Sequence, residues 1–164
     1  MTNVAVARPE TARFRLIRGW LATGVVDGVW AVVLTLAYGR SVTRLWQGLT
    51  ATVFDDRAYD GGLTTVALGI AIHFSVALAW SAIFLVLLLR TRKLEEMLDS
   101  PSGIFTLGAI YGPFIWIVMS RIVIPISTHK EAAPISVRWW IQLVGHAAFV
   151  GMPMMWGLRR RRRD

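Results

Sequence analysis

Apolar residues run along this chain in four long stretches, at 20–38, 63–89, 103–126 and 139–158, with polar positions gathered between them. Each stretch approaches or exceeds the ~20 residues that a helix rising ~1.5 Å per residue needs to cross ~30 Å of hydrocarbon. The pattern predicts an all-α fold: a four-transmembrane-helix bundle with a short amphipathic helix on its outer side. It divides the chain into an N-terminal segment, 1–19, a single membrane domain, 20–158, and an Arg-rich tail, 159–164. The first stretch is long for the apolar part of a cleaved leader and lacks a clear small-residue cleavage site, so it reads as a retained span.

The connection between the first two spans has its own pattern. From Ser41 onward, Val42, Leu45, Trp46, Leu49 and Val53 recur at helical spacing, with Thr43, Arg44, Gln47 and Thr50 between them, which predicts an amphipathic helix capped by Ser41. Such a helix either braces the interface or folds over the bundle mouth as a lid, and the brace is the simpler expectation. Asp60, Gly61 and Gly62 form a turn into the second span. Small residues mark where helices approach in lipid. Gly24 with Gly28, Gly108 with Gly112, and Gly69 with Ala77 are the expected contact faces. Pro113, Pro125 and Pro153 are expected to kink or end the last two helices, since each removes a backbone donor.

Composition strengthens the membrane reading: 55% of residues are hydrophobic and 17% charged, against about a quarter charged in soluble domains. The net charge of +8 raises nucleic-acid binding, but its placement points elsewhere. Twelve basic residues (Arg8, Arg13, Arg15, Arg18, Arg90, Arg92, Lys93 and Arg159 to Arg163) fall on one side. Five (Arg40, Arg44, Arg57, Lys130 and Arg138) fall on the other. Basic residues near span ends stay cytoplasmic, which puts both termini inside an inner (plasma) membrane. The Arg-rich tail then reads as an anchor against anionic headgroups. The chain has no cysteine, so thiolate chemistry and disulfides are excluded. Glu95, Glu96 and Asp99 read as a solvated turn, and Trp139, Trp140, Trp20 and Trp156 as aromatic belts.

Four titratable residues interrupt the apolar stretches deeply: Asp27, His73, Arg121 and His146. Counting from the outer ends places Asp27 roughly 16 Å deep, His73 roughly 15 Å and His146 about 10 Å, with Gln142 one turn above His146 on its face. A modest tilt gathers Asp27, His73, His146 and Gln142 into one pocket in the outer half of the bundle. Each group alone is unfavourable in lipid, while together they satisfy one another. An Asp and two His form a recurrent metal-ligand set, and two facing His at one level also suit a b-type haem. The bland alternative is that each His is an interhelical hydrogen-bonding residue without a ligand. Arg121 is a weaker site member, because it lies near its span's outer end and can snorkel. Met119, Met152, Met154 and Met155 read as gap-filling core before they read as copper ligands. Nucleotide-binding Gly-rich loops, nucleophile elbows and HExxH are all missing, so nothing points to an enzyme.

The polar positions together with GRSVTRLWQGLTA, LGIAIHF around His73, Tyr111–Gly112, VMSRIVIPIS and GHAAFVGMP around His146 resemble an uncharacterised family of small four-span bacterial inner-membrane proteins, distantly similar to YagU-like proteins. The resemblance covers nearly the whole chain. It implies the four-span fold and a shared polar pattern, and no activity. Where members carry an Asn and then an apolar residue, this chain has Ser120 and Arg121. The leading functional expectation is a membrane protein with an Asp/His/His pocket that binds a small ligand, metal ion or haem, or relays protons. A structural or stress-related interaction protein and a small transporter acting as a homo-oligomer are the alternatives.

Overall fold

A computed structural model describes residues 11–160, and these contain helices and no strand. Arg8 and Arg161 to Arg163, expected to flank the spans, lie outside the described residues. The helices are α1 (Ala12–Ala37), α2 (Val42–Phe54), α3 (Gly62–Arg90), α4 (Arg92–Met97), α5 (Pro101–Thr128) and α6 (Val137–Leu158). A 3-10 turn, Asp56–Asp60, joins α2 to α3. Helices α1, α3, α5 and α6 are each long and apolar enough to cross a membrane. Their outward side chains remain exposed: Leu63 at 84%, Ile126 at 68% and Val144 at 68%. A bundle showing that much aliphatic surface has lipid as its solvent, and the protein is an integral, multi-pass membrane protein.

The helices begin beyond the apolar stretches. α1 starts at Ala12 rather than Trp20, so the basic N-terminal residues continue a helix instead of leading up to one. Those arginines hold the termini together. Arg15 Nε donates to the Leu158 carbonyl at 2.7 Å, Arg18 Nε to that of Gly157 at 3.2 Å, and Arg18 Nη2 to that of Arg159 at 2.8 Å. The last carbonyls of a helix lack intrahelical partners and carry partial negative charge, which two guanidinium groups here satisfy. Arg15 Nη1 also lies 2.8 Å from Glu95 Oε1, and Arg160 Nε lies 3.1 Å from Glu95 Oε2. The expectation of a solvated acidic turn therefore fails for Glu95, which α4 tucks beneath α1 and the start of the tail.

Close helix contacts fall where small residues allow them. A Cβ on Gly108 would lie 2.7 Å from Met152 N, one on Gly157 would lie 2.7 Å from Gly19 Cα, and one on Gly112 would meet the His146 carbonyl. The close approach lets backbones gain the van der Waals contact that drives association in lipid. The largest apolar core, including Phe84, Leu88, Tyr111, Met154, Met155 and Leu158, fills the half of the bundle nearest the termini. Met154 and Met155 are fully buried there, in keeping with gap filling.

The prolines neither end nor break the spans. α5 widens into a π-helical turn at Met119–Val123 and α6 into another at Ala147–Gly151. Each widened turn ends two residues before a proline, Pro125 or Pro153. A proline ring clashes with the carbonyl four residues earlier, and a wider turn gives that carbonyl room. Pro113 sits within regular α-helix. Of the expected belt residues, Trp140 and Trp156 are exposed. Trp139 donates its indole N–H to Ser120 Oγ at 3.2 Å, and Trp20 donates its own to the Phe74 carbonyl at 2.8 Å. Both tie one helix to another.

Candidate functional site

The half of the bundle away from the termini is not filled. A cavity of about 240 Å³ lies among α1, α2, α3, α5 and α6, and Asp27, His73, His146 and Gln142 all line it. The level matching read from helix rise holds: His73 Nδ1 lies 3.9 Å from Asp27 Oδ2, and Asp27 is within electrostatic reach of both imidazoles. Arg121 does not join them. Its Nη1 donates to the Ala133 carbonyl at 2.7 Å in the loop between α5 and α6, and it is not part of the cavity wall. The snorkelling geometry explains why: its stem is long enough to carry the charge out of the bundle.

Each histidine is oriented by a backbone carbonyl. His73 Nε2 lies 2.8 Å from the Gly24 carbonyl across the α1–α3 contact, and His146 Nδ1 lies 2.8 Å from the Gln142 carbonyl one turn earlier. A carbonyl oxygen only accepts, so each of these ring nitrogens carries a proton and donates it. In the neutral imidazole the other nitrogen is then a bare lone pair. For His73 that nitrogen is Nδ1, the one facing Asp27; for His146 it is Nε2. The rings are further fixed by aromatic edges and faces, Trp46 at 5.6 Å from His73 and Trp116 at 4.8 Å from His146, centroid to centroid.

The consequence is a one-proton site. With Nε2–H committed to Gly24, His73 Nδ1 and the Asp27 carboxylate present lone pairs to each other, which is repulsive unless a proton lies on one of them. Either Asp27 is a neutral acid beside a neutral imidazole, or a carboxylate faces an imidazolium. At 3.9 Å the two groups lie close to each other but beyond direct hydrogen-bonding distance. Asp27 keeps 24% of its side-chain surface accessible, so it is reachable from the cavity.

The metal and haem expectations fare differently. Among the described residues no three His, Cys, Asp or Glu side chains gather closely enough to hold a metal ion. The cavity is also smaller than the ~300–1,000 Å³ pockets that enclose drug-sized ligands, a size class to which a haem macrocycle belongs.

The helix α2 lies over the cavity. Leu45, Leu49 and Thr52 line it from that side. The amphipathic pattern was legible, but the buried face is partly polar: Thr50 Oγ1 donates to the Thr65 carbonyl at 2.6 Å, Gln47 reaches the Gly62 carbonyl at 3.4 Å, and both side chains are buried while Val53 is exposed. These bonds tie α2 to backbone carbonyls near the start of α3. Ser41 caps the helix as expected, accepting from Arg44 N at 3.4 Å. Gly69 makes the docking possible, since a Cβ there would collide with the Trp46 carbonyl. Site members that the sequence did not single out are Trp80, Trp116 and Thr23. The Trp116 indole nitrogen is buried without a hydrogen-bond partner among the described residues, and no local motif marks it. Compared with protein-family models, with curated proteins and with solved structures, the chain finds no match.

Proposed function

We propose that this protein is a membrane-embedded binding protein whose cavity uses Asp27, His73 and His146 as a protonatable site. The observation that carries the reading is that a backbone carbonyl lies 2.8 Å from one ring nitrogen of each histidine, which assigns the N–H there, while the cavity wall that holds Asp27 includes no Lys or Arg. An ionisable group at that depth is costly and calls for a functional reason that a neutral side chain would not serve. The excess of Lys and Arg on the side of both termini supports an orientation with that end cytoplasmic, in a bacterial inner membrane. The resemblance to small four-span bacterial proteins belongs to the same proposal.

Infrared difference spectra of the protein in lipid, recorded across a pH titration, test the reading. Wild type is expected to gain a protonated-carboxyl band on acidification that is missing in Asp27→Asn and shifted in His73→Gln. An identical set of bands in wild type and Asp27→Asn rejects a titrating Asp27. A second reading, that the polar residues serve only to hold helices together, draws on the His73–Gly24 bond between α3 and α1. It requires Asp27→Asn to leave stability and spectra unchanged while His73→Leu loosens the bundle.

A further inference from the structure

We infer that the cavity recognises a small organic cation with an apolar body, which binds at Asp27 in place of the proton. The inference rests on the protonatable pocket proposed above and names its ligand class.

Beside the amide of Gln142 and the indole of Trp116, the polar groups of the cavity wall supply several acceptors. His73 and His146 have each given an N–H to a backbone carbonyl, so in the neutral state they offer lone pairs. The hydroxyl of Thr52 donates to the Leu49 carbonyl at 2.7 Å, leaving its lone pairs. Asp27 adds a carboxylate. The titratable and charged groups facing Asp27 are His73 from α3 and His146 from α6; α2 and α5 turn only uncharged side chains into the cavity. Tyr111 of α5 is committed to the Trp80 carbonyl at 3.1 Å, away from the cavity wall. A carboxylate in hydrocarbon needs a countercharge, and among the described residues the cavity wall supplies no permanent one. It is met by a proton or by a cationic ligand, and the two compete.

The walls suit the rest of such a ligand. Trp80 and Trp116 line the cavity and Trp46 stands against His73, and indole faces are the preferred partners of organic cations. A volume of about 240 Å³ accepts one ring bearing an ammonium group, since a cavity of ~150 Å³ already accommodates benzene. Charge at the bundle ends indicates the entrance. At the end near the termini Arg13, Arg90, Arg92, Lys93, Arg159 and Arg160 outnumber Glu95, Glu96 and Asp99, and this excess repels a cation. At the opposite end Asp55, Asp56, Asp60 and Glu131 offset the basic residues, beside α2.

The exchange balances. The proton shared by Asp27 and His73 leaves to water, from the Asp27 O–H or the His73 Nδ1–H, its bonding electron pair stays on that atom, and one cation enters as one proton leaves. No bond is made to the ligand and nothing is oxidised or reduced.

The test uses the full chain in lipid nanodiscs and benzyltrimethylammonium as the probe, with the uncharged isostere neopentylbenzene beside it. Calorimetric titration in two buffers of different ionisation enthalpy reads the protons released. The expected result is release of about one proton per cation bound, with affinity rising about tenfold per pH unit while Asp27 carries its proton. Binding of the uncharged isostere is expected to be at least about tenfold weaker. Asp27→Asn is expected to abolish cation binding, and Asp27→Glu, which keeps the carboxylate, to retain it. Equal binding of the isostere, binding without proton release, or unchanged binding in Asp27→Asn overturns the inference. If the infrared titration shows Asp27 gaining a proton and the cation still fails to bind, the ligand class is wrong and the pocket stands. If Asp27 does not titrate, both fall.

Discussion

Gly112 of α5 is where packing and site meet, and Gly112→Ala tests both. A methyl group there meets the His146 carbonyl, lying 2.5 Å from its carbon and 2.9 Å from Ala147 N, where carbon contacts settle at ~3.5–4.0 Å. Both obstacles are backbone, so no rotamer change relieves them, and α5 and α6 must part by about 1 Å. Overpacking of this kind costs ~1–3 kcal/mol, against which the better helix propensity of Ala returns ~0.5–1 kcal/mol. The net loss reaches at most about 2.5 kcal/mol and is about 1 kcal/mol at the centres of these ranges. The control is Gly48→Ala in α2, where the nearest obstacle is the Tyr59 hydroxyl at an ordinary 3.5 Å. Only the propensity term remains there, and a gain of ~0.5–1 kcal/mol is expected. Reversible unfolding in mixed micelles, followed by tryptophan fluorescence, measures both. A Gly112→Ala protein as stable as wild type refutes the backbone-to-backbone approach at His146, and with it the positioning of that imidazole.

Three further outcomes are expected. Glu95→Ala strands the Arg15 charge, whose side chain is 3% exposed. Breaking a buried pair costs ~3–5 kcal/mol, and the lower end applies because Arg15 keeps its bond to Leu158. In the same unfolding assay Glu96→Ala, which removes an exposed pair with Arg92, should cost only ~0.3–0.5 kcal/mol, and equal effects would deny the burial of Glu95. Gly69→Ala pushes the Trp46 carbonyl away and lifts α2. In this cysteine-free chain, a Leu49→Cys probe should then react with a thiol reagent about fivefold faster for each ~1 kcal/mol of docking lost, and an unchanged rate would show that α2 does not cover the cavity. Hydrogen bonds from the Arg57 guanidinium and then from its amide hold the Asp55 carboxyl below its ordinary value of 3.8. A depressed folded value means the contribution is present above pH 3.8 and disappears as pH falls through the lower midpoint. A magnetic-resonance titration should place that midpoint below 3.8 and return it toward 3.8 in Arg57→Ala; no movement rejects the pairing.

The four spans, the amphipathic α2 and the common depth of Asp27 and His73 were all legible in the chain, because each depends on local quantities: hydropathy, helical period and rise per residue. Gly108 and Gly112 were readable as contact positions for the same reason, since small size is visible in one residue. What they contact was not. Arg121 read only as a weaker site member near the end of its span, and the direction of its side chain depends on a loop carbonyl at Ala133 twelve residues away. Glu95 looked solvated because its partners, Arg15 and Arg160, are distant in sequence.

By itself the sequence determined that this chain must live in lipid as four crossing helices, and that a carboxylate and two imidazoles lie within them at nearly one level. Only the tertiary structure decided which nitrogen of each imidazole is spent on a carbonyl, that α2 lies over the cavity, and that α5 and α6 widen into π-helical turns ahead of their prolines. The physical reason is the range of the forces involved. Hydrophobic burial and helix geometry act on the residue and its near neighbours, whereas a hydrogen bond between helices exists only once the bundle has set two backbones a few ångströms apart.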